Sequence, residues 1–277
     1  MEQITRISER HPTVGAAREV RTESRVTVLP THPVAEPPAS VDFTDTLVFK
    51  LPTVVLDPVQ RERERILPPG ATGQHGGAYK MLRTQVVKRM DQLGANTIGI
   101  LSAGAEEGKT LTAINLAIAI AAESTRTALL VDFDLRNPSI HRRFGHAPAV
   151  GVEDCLLQRR SLQEAMFKVD GYDRLTVLAA HERSEQSSEL LSSDRAAELV
   201  TEIRTRYANR IVIFDMPPVL QADDSLAFAR HLQSGLLVIG EGKASGEDVR
   251  RTIDLLRDLP IVGTVLNGSR TAAKNYY

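Results

Sequence analysis

Residues 103–110 read AGAEEGKT, between the apolar run TIGIL (97–101) and the helical pattern TLTAINLAIAIAAE (110–123). Small residue, four positions, then Gly-Lys-Thr is the spacing of a phosphate cradle, and the strand before it and helix after it supply the required context. Ala103, Gly104, Ala105, Glu106, Glu107, Gly108, Lys109, Thr110 and Leu111 would surround the phosphates. Gly108 lets backbone amides approach phosphate oxygens, Lys109 spans the β- and γ-phosphates, and Thr110 offers a hydroxyl to Mg²⁺ at the positive end of the helix. Glu106 and Glu107 are the unexpected residues. The amides of such a loop point inward, so both carboxylates are expected to face solvent, where screened repulsion costs ~1 kcal/mol or less each.

Two further carboxylate groups suit the same chemistry. LLVDFD ends one apolar run with Asp132 and Asp134, and IVIFD ends another with Asp215. Residues two apart on a strand share a side, and ligands of doubly wound sheets sit at the carboxyl ends of the strands. All three aspartates are therefore expected to point toward the loop. Mg²⁺ prefers oxygen ligands, and an activated hydroxyl needs a nearby base; three carboxylates cover both tasks. One of the first pair could instead cap the turn before LRNP.

The elements that must position these groups are short apolar runs at 97–101, 127–134, 175–180, 210–218, 235–241 and 261–267. Most are separated by helical patterns, such as 192–207 and 245–258. Strands apolar on both faces that alternate with helices imply a mainly parallel α/β sheet, doubly wound, with helices on both faces. Upstream, Met81, Leu82, Val86 and Met90 recur at helical spacing over 78–92 with a Gly94 stop. Nine of the fourteen prolines fall within residues 1–75. That region is expected to be largely disordered, ahead of a nucleotide-binding domain over 76–277. TLVFKLPTVVL (46–56) is its one extended candidate, a docking segment or an edge strand, since Pro52 would spoil a central one.

Composition excludes several classes. The formal net charge is -1, from 34 basic and 35 acidic residues, so no global field draws the chain to nucleic acid or an anionic membrane. The single cysteine, Cys155, cannot form an internal disulfide, and no signal-like N-terminus is present, which favours the cytoplasm. The longest nearly apolar run, 111–122, is too short to span a bilayer, so membrane association is expected only through a partner. Cys155 reads as a core thiol, Tyr79, Tyr172 and Tyr207 as packing residues, and His141, His146, His181 and His231 lack metal-ligand spacing.

AYKMLRT, SAGAEEGKT, LLVDFDLRNPSIHRRFG, GVEDCLLQRRSLQEAM, the SSELL…DMPPVLQADD stretch, GTVLN and the terminal NYY occur in the order seen in one family. Over roughly residues 76–277 the chain resembles the bacterial tyrosine kinases of capsular and exopolysaccharide biosynthesis. The resemblance implies a P-loop fold and an ATP- and Mg²⁺-dependent protein-tyrosine autokinase. It makes Lys109 and Thr110 the phosphate and metal ligands, gives Asp134 and Asp215 to the metal, and makes Asp132 the base for an incoming tyrosine. Asn267 would contact adenine, and Tyr276 and Tyr277 would be the phosphoacceptors. It also implies a membrane polysaccharide co-polymerase as partner, with homo-oligomer assembly. Departures are visible: Gly77, Lys80 and Arg83 stand where the family has a Glu-Arg-Arg oligomerisation motif, the tyrosine cluster has two members, and Glu106 replaces the loop's Pro-Gly. A regulatory P-loop ATPase without kinase activity stays open as an alternative, as does a chromosome- or septum-positioning ATPase, although Gly104 replaces that group's second lysine.

Overall fold

The computed structural model describes residues 51–206 and 209–269. In chain order its strands are β1 (Thr53–Val54), β2 (Thr97–Ser102), β3 (Thr127–Asp132), β4 (Met166–Val169), β5 (Leu175–Leu178), β6 (Arg210–Asp215), β7 (Gly235–Gly240) and β8 (Ile261–Asn267). Its helices are α1 (Pro58–Arg63), α2 (Gly73–Leu93), α3 (Lys109–Ala121), α4 (Ile140–Arg143), α5 (Val152–Leu156), α6 (Leu162–Ala165), α7 (Ser187–Ser192), α8 (Asp194–Thr205), α9 (Asp224–Ala229) and α10 (Gly246–Leu255). The strands form one sheet in the order β1-β4-β5-β3-β6-β2-β7-β8. All pairings are parallel except β4 with β5. The six apolar runs read from the sequence are the six strands from β5 to β8 across the sheet, and the mainly parallel, doubly wound fold stands.

Side-chain alternation divides the core into two layers. Ile98 and Ile100 of β2, Ala128 and Leu130 of β3, and Ile211 and Ile213 of β6 face the layer that holds α2 and α3. Leu101, Leu129, Val131, Val212 and Phe214 face the layer that includes side chains of α5, α8 and α9. This is the period of two that a strand imposes, and it gives the parallel strands two buried faces.

Helix ends follow local chemistry. Gly94 stops α2 in a left-handed conformation at φ 62°, as a C-terminal glycine does. The start of α2 precedes the expected residue 78 by five positions, across GQHGG, a composition that disfavours helix. Gly76 explains part of this: a Cβ there would lie 2.7 Å from the Ala71 backbone, a close approach only glycine permits. Ser193 and Ser245 cap α8 and α10 through their hydroxyls.

The boundary expected at residue 76 is wrong for residues 51–75. β1 pairs with β4 at the sheet edge, consistent with the edge-strand reading of Pro52, and Leu56, Ile66 and Leu67 are buried in the α3-side core. The Asn115 side chain accepts from Leu67 N at 2.9 Å and donates to the Arg65 carbonyl at 3.0 Å, while the Tyr172 hydroxyl donates to the Leu67 carbonyl at 2.8 Å. Three apolar anchors and bonds from distant residues order a stretch that lacks any apolar period of its own. Residues 1–50, Tyr207, and the phosphoacceptor candidates Tyr276 and Tyr277 lie outside the described residues.

Candidate nucleotide and phosphoryl-transfer site

The loop from β2 to α3 is built around Gly108, whose φ of 90° and close neighbour exclude any other residue: a Cβ would sit 1.9 Å from Asn267 Nδ2. Asn267, at the end of β8, donates that amide to the Glu107 carbonyl at 2.9 Å. The residue assigned to adenine by resemblance thus braces the loop. Lys109 and Thr110 begin α3 and are both buried, Ala103 is buried at the end of β2, and Leu111 is half-buried.

The two loop glutamates behave differently. Glu106 faces solvent as expected, with φ of 58° and an ion pair of 3.1 Å to Lys243. Glu107 does not face solvent: only 1% of it is exposed. Its carboxylate accepts from the Gly104 N–H within the loop and, at 2.9 Å, from the Gly240 N–H at the end of β7. Its charge is spent on two backbone donors, the buried Gly240 and the half-buried Gly104, because its side chain points back into the fold, where amides would otherwise go unpaired.

Register brings the carboxylates together. Asp132 of β3 lies beside Asp215 of β6, and the Phe133 N–H donates to the Asp215 carbonyl at 2.9 Å. Parity places Asp132, Asp134 and Asp215 on the α3 side of the sheet. The intervening Phe133 lies on the other, packed 5.1 Å from Phe214 and 4.8 Å from Phe228 between ring centroids. Lys109 Nζ is 2.6 Å from Asp134 Oδ2 and 3.7 Å from Asp215 Oδ1. Asp132 Oδ2 accepts from the N–H groups of Ser139 and Ile140, each at 3.0 Å, where α4 begins. The turn-cap alternative is met in part: Asp134 Oδ1 accepts from Asn137 N at 3.1 Å, while its other oxygen holds Lys109.

The electrostatics are those of a desolvated, anion-rich pocket. Burial, followed by repulsion from Asp215, holds Asp132 well above the usual carboxylate range, and the Ile140 amide offsets part of this. Burial also raises Asp215, against the Lys109 ammonium and the Thr110 hydroxyl. Burial alone would lower Lys109, but Asp215 and then Asp134 outweigh it and leave its pKa raised. The Thr110 hydroxyl is near enough to lower the Asp215 pKa, but neither buried carboxylate oxygen of Asp215 has a well-formed hydrogen bond. Orphaned buried acceptors beside one shared ammonium are what an oxygen-coordinated cation would satisfy. The buried, unpaired acceptors of Asp215 are compatible with Mg²⁺, and Thr110, Asp134 and Asp215 are the residues that would hold it.

Sequence reasoning missed Lys243 and the internal role of Glu107, since the motif's spacing constrains backbone and not the side chains between its ends. It also missed Arg136, whose Nε lies 2.8 Å from the buried Asp224 and ties the turn after β3 to α9. Cys155 is a buried thiol, pushed up to about 12 chiefly by burial, and Tyr172 is a packing residue as expected. Arg83, the one arginine of the altered oligomerisation motif, is turned inward to Glu123 at 3.1 Å and to the Ala119 carbonyl at 3.2 Å.

A mainly parallel sheet with a glycine-braced phosphate loop and acidic strand ends defines a P-loop fold. No protein-family model matches the chain. It is 30% identical over 201 residues to the tyrosine-protein kinase YwqD of Bacillus subtilis, covering 72% of this chain and 83% of YwqD. It is 33% identical over 178 residues to the succinoglycan biosynthesis transport protein ExoP of Rhizobium meliloti, covering 63% of this chain but 22% of ExoP. The solved kinase domain of the Escherichia coli tyrosine kinase ETK superposes with a TM-score of 0.67 at 26% identity, over 82% of this chain and 91% of that domain. The chain belongs to the bacterial tyrosine kinase family.

Proposed function

We propose that this protein is an ATP- and Mg²⁺-dependent protein-tyrosine autokinase that regulates the polymerisation or export of an exopolysaccharide or capsule with a membrane co-polymerase as partner. The observation that carries the reading is the group formed by Lys109, Asp132, Asp134 and Asp215 at the mouth of the β2–α3 loop. Family membership and the likeness to ExoP support the pathway. Among the described residues no helix is long and apolar enough to cross a membrane.

In this reading the loop amides and the start of α3 bind the ATP phosphates, and Lys109 moves from Asp134 to the β- and γ-phosphate oxygens. Thr110, Asp134 and Asp215 hold Mg²⁺, which supplies positive charge against the charge that develops on the transferred phosphoryl group. Asp132, held by two α4 amides and with its proton affinity raised by burial, accepts the tyrosine hydroxyl proton. Asn267 keeps the loop open for the nucleotide and lies on its adenine side. Tyr276 and Tyr277 are the acceptors, presented by a neighbouring copy of the chain.

The test is to incubate purified full-length protein with ATP and Mg²⁺ and probe for phosphotyrosine. Wild type should label, and Asp132→Asn and Lys109→Met should not. Mixing Lys109→Met carrying an intact tail with an active form lacking residues 276–277 should label the former. ATP hydrolysis by the wild type without any phosphotyrosine would overturn the kinase reading in favour of a regulatory ATPase.

A further inference from the structure

The helix that orients Asp132 is a single turn. A helix of four residues has no cooperative stability of its own, so α4 stays where its neighbours hold it. Ile140 and Phe144 anchor it below, in the core. Its far end is gripped by α1. Gln60 Nε2 donates to the Arg142 carbonyl at 2.8 Å and to the Arg143 carbonyl at 3.3 Å, and Glu64 Oε2 lies 3.1 Å from Arg143 Nη1. Those carbonyls belong to the last turn of α4; the Arg142 carbonyl also accepts from Gly145 N at 3.0 Å, so Gln60 adds a second donor there and ties the turn to α1.

α1 is itself fixed at both ends. Asp57 caps it by accepting from Gln60 N at 2.9 Å, and Arg63 Nη2 donates to Gln60 Oε1 at 2.9 Å, which leaves the Gln60 NH₂ facing α4. Beyond α1, residues 65–67 are bonded to Asn115 of α3, the helix that begins at the phosphate loop. One segment, residues 57–67, therefore bridges the phosphate-binding helix and the helix whose amides hold Asp132.

We infer that Gln60 and Glu64 are positioning residues for phosphoryl transfer: by gripping the C-terminal end of α4 they keep the Ser139 and Ile140 amides, and through them the Asp132 carboxylate, in place relative to the phosphate loop. The inference rests on the assignment of Asp132 as base. It gives residues 57–64 a part in turnover and none in nucleotide binding, because neither side chain touches the loop.

The experiment uses full-length protein carrying Gln60→Ala, Glu64→Ala or both, with Glu64→Gln as the conservative variant that keeps an acceptor for Arg143. Expected is a fall in kcat for tyrosine phosphorylation of tenfold or more in the double variant, the scale on which small misplacements slow reactions. The KM for ATP should stay within about twofold, and Glu64→Gln should restore most of the Glu64→Ala loss. Hydrogen exchange provides a readout independent of activity: amides of 139–143 should exchange faster in the double variant, while those of 103–110 keep their wild-type rates. Unchanged kcat and exchange overturn the inference. So does a loss of kcat accompanied by equal weakening of ATP binding and faster exchange in the phosphate loop, which marks general destabilisation. An Asp132→Asn chain that still phosphorylates, or a wild type that never does, removes the base assignment and this inference together. An inactive Asp132→Asn beside normal Gln60 and Glu64 variants overturns the positioning role alone.

Discussion

Substituting Lys109 with Met, the ordinary way to disable a phosphate loop, should unfold this protein more readily as well as silence it. Among the described residues the ammonium is the one cation within 4 Å of both Asp134 and Asp215, in a group whose side chains are 10%, 8% and 0% exposed. Removing one partner of a buried ion pair costs about 3–5 kcal/mol because the remaining charge is stranded. Here two carboxylates would be stranded with Asp132 beside them. Protonation relieves part of that, so the lower figure applies, about 3 kcal/mol, or roughly 6–12 °C in Tm for a domain of this size.

The pH dependence has a definite sign. Asp132 and Asp215 already bind protons more tightly folded than unfolded, so their contribution is most favourable below the unfolded carboxylate pKa and is lost as pH rises through the folded value. Without Lys109 their folded pKa rises further. The deficit of Lys109→Met should therefore be larger at pH 8 than at pH 5.5. Thermal melts of nucleotide-free protein at both values measure it, and Lys109→Met with Asp134→Asn should recover about 1–2 kcal/mol through coupling of the pair. Identical melting of wild type and Lys109→Met at both pH values would refute the view that Lys109 neutralises these carboxylates in the nucleotide-free protein.

Two further outcomes concern the loop glutamates. Glu107→Gln leaves one carbonyl oxygen for two amide donors and sets an NH₂ against the other, so urea denaturation should show a loss of about 1–3 kcal/mol. Titration with a fluorescent ATP analogue should show weaker binding, and wild-type behaviour in both would mean the Gly104 and Gly240 amides do not depend on Glu107. Glu106→Gly removes a non-glycine residue from a left-handed conformation worth about 1–2 kcal/mol and gives up an exposed ion pair worth about 0–1 kcal/mol, so it should stabilise the chain. The same variant should bind ATP more tightly, having lost a carboxylate at the loop's mouth.

The sheet and the charged site were legible because both follow from patterns of fixed period. Buried parallel strands leave continuous apolar runs, and Asp132, Asp134 and Asp215 announce themselves by closing such runs. β4 escaped notice because MFKV is short and carries Lys168 on an exposed position, and its antiparallel pairing breaks the βαβ alternation. The bracket at residues 57–67 was invisible for a different reason. Its order comes from Asn115, Tyr172 and the α4 carbonyls, contacts between 48 and 105 residues distant in sequence, and local propensity records none of them. Glu107 was misread because the loop spacing describes where the backbone goes, while the direction of that side chain depends on the Gly240 amide across the sheet.

The same alternation that made the site readable makes it depend on the opposite face. Asp134 can reach Lys109, and Asp132 the Ser139 and Ile140 amides, only while Phe133 is held on the far side of the sheet, wedged between Phe214 and Phe228 with no exposed surface. A slip of one residue between β3 and β6 would exchange the faces, sending two carboxylates into an aromatic core and a phenyl ring into the phosphate pocket. Burying either carboxylate there would cost several kcal/mol, and exposing the ring would forfeit a further 1.5–3 kcal/mol, roughly. The aromatic cluster thus works as the register pin for the anionic site, so the chemistry at the strand ends is specified by apolar residues that never approach a nucleotide.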